Sequence, residues 1–151
     1  MHTAQSQEKS KDSNNDTFWL GLEERDTRRI LSPKEYDSLR RKKWTVEDRK
    51  AIAEETNYRC AYCGRPLPKR FALDHMVPLR FGGADDRSNL FAACVQCNHR
   101  KGVLTVERFR KAIEDAPRQL TLKYLNARIA EAFGMLQAKP VVFYFETLKK
   151  Q

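Results

Sequence analysis

No stretch of the sequence approaches the roughly 18 consecutive apolar residues that a membrane-spanning helix needs. Residues 1–16 also lack the apolar core of a secretory signal. The expectation is therefore a cytoplasmic protein with no membrane partner. Apolar residues are scarce throughout: 40% of the 151 residues are hydrophobic and 32% are charged, and the mean hydropathy is −0.74. No internal repeat is visible. The length allows one domain of ordinary size plus tails. A chain this short and polar buries a modest core, so something besides hydrophobic area has to help hold it together.

Acidic residues are also in deficit. Twenty Asp and Glu face 29 Lys and Arg, for a formal charge of +9 and a pI near 9.6. Such a surplus favours a polyanionic partner, because each phosphate contact releases counterions. The plainer reading is a soluble protein that is merely basic. Cysteine is limited to four residues, and in a reducing compartment four cysteines point to metal ligation before disulfides.

Residues 1–17 read as a disordered tail, too polar to offset their own ordering entropy, with ordered structure expected from about Phe18-Trp19-Leu20. Residues 18–57 read as a basic helical arm. Between Arg25 and Lys43 there are eight Lys or Arg against three acids, which suits a solvated helix face and a phosphate-contacting arm equally. Ser32-Pro33-Lys34-Glu35 predicts a short capped helix ending in the basic run Arg40-Arg41-Lys42-Lys43. Thr45-Val46-Glu47-Asp48 opens a second helix to about Asn57, with Val46, Ile52 and Ala53 inward.

Residues 58–104 read as short strands and loops and form the core. In the C-terminal region, 105–151, Thr105 caps a helix with Val106, Phe109 and Ile113 on one face, and Pro117 interrupts the pattern. Leu122, Leu125, Ile129, Phe133 and Leu136 predict an amphipathic helix closed near Gly134, and Val141 to Phe145 predicts a terminal strand.

Cys60-Ala61-Tyr62-Cys63 and Cys94-Val95-Gln96-Cys97 are two C-x-x-C knuckles separated by 30 residues. Each tight turn can aim two thiolates at one ion, and two turns complete a tetrahedron. Redox pairs or disulfides do not account for two pairs with the same internal spacing. The reading is a structural Zn²⁺ site: four protein ligands leave no open position for water, and the site closes a long loop.

Within that loop, Phe71-Ala72-Leu73 makes a short strand ending at Asp74-His75, and Asn89-Leu90-Phe91-Ala92-Ala93 makes a second. Successive strand side chains point to opposite faces, so one of an Asp-His pair can bind a metal while the other addresses a water. Taken singly, Asp-His at a strand end is an ordinary hydrogen-bonded turn, Asn89 an ordinary turn residue and Gly82-Gly83 an ordinary loop. Their joint order within one cysteine frame carries the functional weight.

Leu73-Asp74-His75-Met76-Val77-Pro78, Gly82-Gly83, Ser88-Asn89-Leu90 and Cys94-Val95-Gln96-Cys97-Asn98-His99-Arg100-Lys101-Gly102 together resemble the HNH endonuclease family. The closest likeness is to the branch whose ββα-metal motif is framed by two C-x-x-C knuckles. The resemblance covers residues 60–102. It implies an α+β fold: a ββα-metal hairpin with zinc knuckles and flanking helices. It also implies a DNA endonuclease in which Asp74 and Asn98 bind a catalytic divalent ion, His75 is the general base and Asn89 holds the histidine loop in register. The carboxylate and amide oxygens suit Mg²⁺ or Mn²⁺. An imidazole is matched to water activation near neutral pH.

Some relatives in the family carry His as the last ligand. Asn98 is preferred here because it directly follows the knuckle, and His99, Arg100 and Lys101 are candidate phosphate contacts. Lys101 could equally pack its stem against the hairpin. The resemblance further implies 5′-phosphate and 3′-hydroxyl products; a cytoplasmic protein of this kind is expected at the nucleoid when bound to DNA. One motif cuts one strand per engagement, so double-strand breaks require a homodimer, a larger assembly or two visits. The competing expectation is a zinc-stabilised nucleic-acid-binding module without catalysis, which the intact Asp74, His75 and Asn98 argue against.

Overall fold

In the computed structural model, which describes residues 30–39 and 42–148, the first two helices among the described residues start where the capping boxes place them. The expected tail, the ordered start at Phe18 and the Arg40-Arg41 pair lie outside the described residues. Helix α1, Pro33–Ser38, has Ser32 Oγ accepting the Glu35 backbone N–H at 3.3 Å, while Glu35 accepts the Ser32 N–H at 2.8 Å. Helix α2, Val46–Glu54, repeats the device with Thr45 and Asp48. Ile52 and Ala53 are buried as expected, but Val46, in the first turn, is 67% exposed and takes no part in the core. The helix also stops short of Asn57. Tyr58 N–H returns to the Ala53 carbonyl, and Asn57 and Tyr58 take positive φ, which ends the α-helical path.

Strands β1, Ala72–His75, and β2, Leu90–Ala93, pair antiparallel, with Asp74 opposite Phe91 and His75 opposite Leu90. Helix α3, Val95–Lys101, follows β2 directly. Its N-cap is Cys94, whose sulfur accepts the Cys97 N–H. Strand, strand and helix thus form the expected ββα unit, and the second knuckle is the mouth of its helix.

Two hydrophobic clusters flank the hairpin. Ile52 and Ala53 of α2 pack on Leu90 and Ala92, with Trp44, Phe71 and Leu73 at the edges. The other cluster joins Cys60, Tyr62, Ala93 and Cys94 to Phe109 and Phe143. Tyr62 is its centre. Phe91, Phe109, Phe143 and Phe145 all meet its ring edge to face, at centroid distances of 6.1, 5.3, 5.1 and 6.4 Å, each contact adding about 0.5–1.5 kcal/mol beyond simple burial.

Phe109 comes from α4, Val106–Glu114, capped by Thr105 and inward-facing through Val106, Phe109 and Ile113 as expected. Helices α5, Ala116–Lys123, and α6, Leu125–Ala132, replace the single amphipathic helix expected there. The chain breaks at Tyr124, in an extended conformation, and Pro117 begins α5 within its first turn, where its missing N–H costs nothing. Leu122, Leu125, Ile129 and Phe133 are largely exposed. Gly134, at φ 72°, closes α6 as the sequence suggests.

The expected terminal strand at 141–145 is not formed. Residues 141–143 are extended, but the chain then turns into a short helix, α7, Tyr144–Thr147. Glu146 accepts the Phe143 N–H at 2.7 Å and is itself held by Arg110. The Tyr144 and Phe145 N–H groups donate to the Tyr62 and Ala61 carbonyls of the first knuckle. A local cap and those two carbonyls satisfy the backbone where a partner strand would otherwise be needed. No helix among the described residues is long and apolar enough to cross a membrane.

Candidate functional site

The four cysteines converge. Their sulfurs all lie within 4.8 Å of one another, with Cys63 and Cys94 3.9 Å apart. Tetrahedral coordination at about 2.3 Å puts thiolate sulfurs about 3.8 Å from each other, so the donors and spacing fit zinc. The electrostatics agree. The neighbouring Cys97 thiol holds Cys60 well below the ordinary thiol range, and Cys97 itself is pushed far above it. Four sulfurs this close cannot all ionise unless a cation joins them.

The Asp-His pair ends β1 above that frame. Asp74 is 4% exposed. Its carboxylate accepts a hydrogen bond from the Tyr62 hydroxyl and is paired with Lys101 Nζ, at 3.0 Å from Oδ2 and 3.2 Å from Oδ1. Burial raises the Asp74 pKa, and Lys101 and the Tyr62 hydroxyl oppose that shift. Lys101 is 1% exposed and also donates to the His75 carbonyl at 2.7 Å. The phosphate contact expected of Lys101 is therefore corrected: its ammonium is turned into the hairpin and spent on Asp74. His99 and Arg100, on the same helix, are exposed.

His75 is partly exposed, and its Nε2 lies 2.9 Å from Asp85 Oδ1. Asn89 is buried and ties together the loop between the strands. Its Oδ1 accepts the Val77 N–H at 2.9 Å, and its Nδ2 donates to the carbonyls of Val77 at 2.9 Å and Ala84 at 2.8 Å. Gly83 closes the same loop against Val77, and a Cβ there would overlap the Val77 carbonyl. Gly83→Ala should therefore push Val77 off Asn89 and lower stability by about 1–3 kcal/mol, the usual range for overpacking. A thermal melt matching the wild type would mean the loop is not held in this way.

Asp74, His75 and Asn98 line one open cleft of about 330 Å³, together with Tyr36 of α1 and Arg80. Asn98 faces this cleft and His99 is not among its lining residues. Sequence reasoning singled out Asp74, His75, Asn89 and Asn98 but missed Tyr62, Asp85 and Tyr36. Neither Asp85 nor Tyr62 has a local motif that marks it: their partners, His75 and Lys42 for the one and Asp74 for the other, lie ten or more residues away.

The comparison with known families falls on the same segment. Residues 60–103 match the family model of the HNH endonucleases. A stretch of 51 residues is 41% identical to the CRISPR-associated endonuclease Cas9 of Corynebacterium diphtheriae, covering 32% of this chain and 5% of that protein. The chain thus spans a small part of the relative it matches. The hairpin, the cysteine frame and the family match coincide: residues 60–103, which are similar to the HNH endonucleases, hold four cysteines positioned to form a zinc site.

Proposed function

We propose that the protein is a metal-dependent DNA endonuclease, with Zn²⁺ structural at the four cysteines and Mg²⁺ or Mn²⁺ catalytic. The observation that carries this reading is the convergence of Asp74, His75 and Asn98 on one cleft. The Asp74 carboxylate and the Asn98 amide would hold the divalent ion through hard oxygen donors. When bound, that ion supplies charge stabilisation at the phosphate and the departing oxygen.

His75 takes a proton from water. The water oxygen bonds to phosphorus, the bond to the 3′ oxygen breaks, and that oxygen takes a proton from solvent, leaving 5′-phosphate and 3′-hydroxyl ends. Asn89 keeps the loop behind His75 in register. Arg100 and Arg80, exposed near the cleft or on its helix, supply positive charge for the phosphate backbone, and the exposed His99 a further hydrogen-bonding side chain. The formal charge of +9 supports DNA as the partner.

Supercoiled plasmid incubated with Mg²⁺ should be nicked, and EDTA should stop the reaction. His75→Ala should lower the rate by about 10²–10⁴-fold, the usual worth of a general base, while DNA binding and the melting temperature are kept. Cleavage at the wild-type rate in that variant would assign the base elsewhere. DNA binding without cleavage by the wild type itself would favour the inactive binding module.

A further inference from the structure

His75 is only one half of a pair. Its Nε2 lies 2.9 Å from Asp85 Oδ1, and both side chains are 22% exposed. A carboxylate only accepts, so this contact places the ring proton on Nε2 and leaves Nδ1 as the one ring nitrogen with a free lone pair. Asp85 is itself held from two directions. Its Oδ2 accepts the Lys42 backbone N–H at 2.6 Å. On the other side, Ala84 is fixed by Asn89, and Asp86 caps the following turn by accepting the Ser88 N–H at 2.8 Å. Burial pushes the Asp85 carboxyl up, but the bonds from Lys42 and His75 help to hold it below the ordinary carboxylate range.

We propose that Asp85 is the positioning residue of this site: it locks His75 in the Nε2–H tautomer so that Nδ1 is the base, and the Lys42 backbone N–H holds Asp85 in place. This rests on the reading of His75 as the general base. Lys42 lies outside the segment that matches the HNH family model, so the backbone at Lys42 belongs to the catalytic unit. When Nδ1 takes the water's proton, the Nε2–H still donates to the Asp85 carboxylate, so the ring keeps its orientation through the step. The arrangement orients the ring as outer hydrogen-bond partners orient imidazoles elsewhere.

The test uses the full zinc-loaded chain and two readouts. The first is ¹⁵N NMR of the imidazole nitrogens at about pH 8.5, some two units above the usual imidazole pKa. The His75 signals are identified by their loss in His75→Gln. Wild type should show the Nε2–H tautomer, and Asp85→Ala should show a mixture. The second readout is plasmid nicking with Mg²⁺: Asp85→Ala should lose about 10- to 100-fold in kcat, with KM changed less than about twofold.

An Nδ1–H tautomer in the wild type would overturn the proposal, as would an unchanged kcat in Asp85→Ala. Should the wild type fail to cut DNA, the endonuclease reading fails, while the tautomer measurement still decides the role of Asp85.

Discussion

Cys60→Ser and Cys97→Ser are each expected to yield unfolded or insoluble protein. Zinc affinity in small structural sites corresponds to about 10–16 kcal/mol, and where no site exists in the unfolded chain that energy is folding energy. The whole net stability of an ordinary domain is about 5–15 kcal/mol, so this chain has no reserve with which to absorb the loss. Its two clusters are small, and one is built around the cysteines themselves: Cys60 and Cys94 sit in it with Tyr62 and Phe109.

The two variants probe different surroundings. Cys60 is fully buried, so serine there also places a hydroxyl in an apolar centre, whereas Cys97 is partly exposed. Loss of folding in both assigns the effect to coordination rather than to core packing. Elemental analysis should find one zinc per wild-type chain, and a strong chelator should abolish the cooperative melt seen by circular dichroism. A Cys97→Ser protein that melts within a few degrees of wild type would remove zinc from the account of stability.

What was readable in advance was what the chain decides locally. The two capping boxes, the Thr105 cap and the Gly134 stop are settled by residues three or four positions apart, and all four are found where expected. The knuckle spacing likewise implies a shared centre before any packing is known, and the order of Asp74-His75, Asn89 and Asn98 follows the hairpin.

What escaped the sequence was set by contacts between distant segments. Lys101 sits in a run with Asn98, His99 and Arg100 and looks like its exposed neighbours, yet it is the one whose helix phase points at Asp74, 27 residues earlier. Asp85 gains its role from His75 and from the Lys42 backbone, 43 residues away. Val141 to Phe145 has strand-forming side chains, but the place it docks offers two carbonyls of a knuckle and an Arg110–Glu146 pair rather than a strand edge. The break at Tyr124 carries no proline or glycine to announce it.

Lys101→Met is the variant that separates the buried Lys101 of the structure from the phosphate contact its sequence suggests. The side chains of Lys101 and Asp74 are 0% and 4% exposed. Burial lowers the Lys101 pKa and raises that of Asp74, and each partner's charge pulls the other back. Methionine keeps the apolar stem and removes the ammonium. The carboxylate is then left with the Tyr62 hydroxyl as its remaining side-chain donor among the described residues.

In buffer without Mg²⁺ or Mn²⁺, breaking a buried pair from one side costs about 3–5 kcal/mol, because the surviving charge has no compensation. For a chain of this size that is a fall in Tm on the order of 10–20 °C. Removing both charges, in Asp74→Asn with Lys101→Met, should restore much of the loss, since an amide needs no counterion and still accepts from Tyr62. A phosphate-contacting lysine would behave in the opposite way, with Tm unchanged and the salt dependence of DNA binding lowered by about one ion. A Lys101→Met melt equal to wild type, paired with that weakened salt dependence, would place Lys101 back at the DNA surface and leave Asp74 without its buried partner.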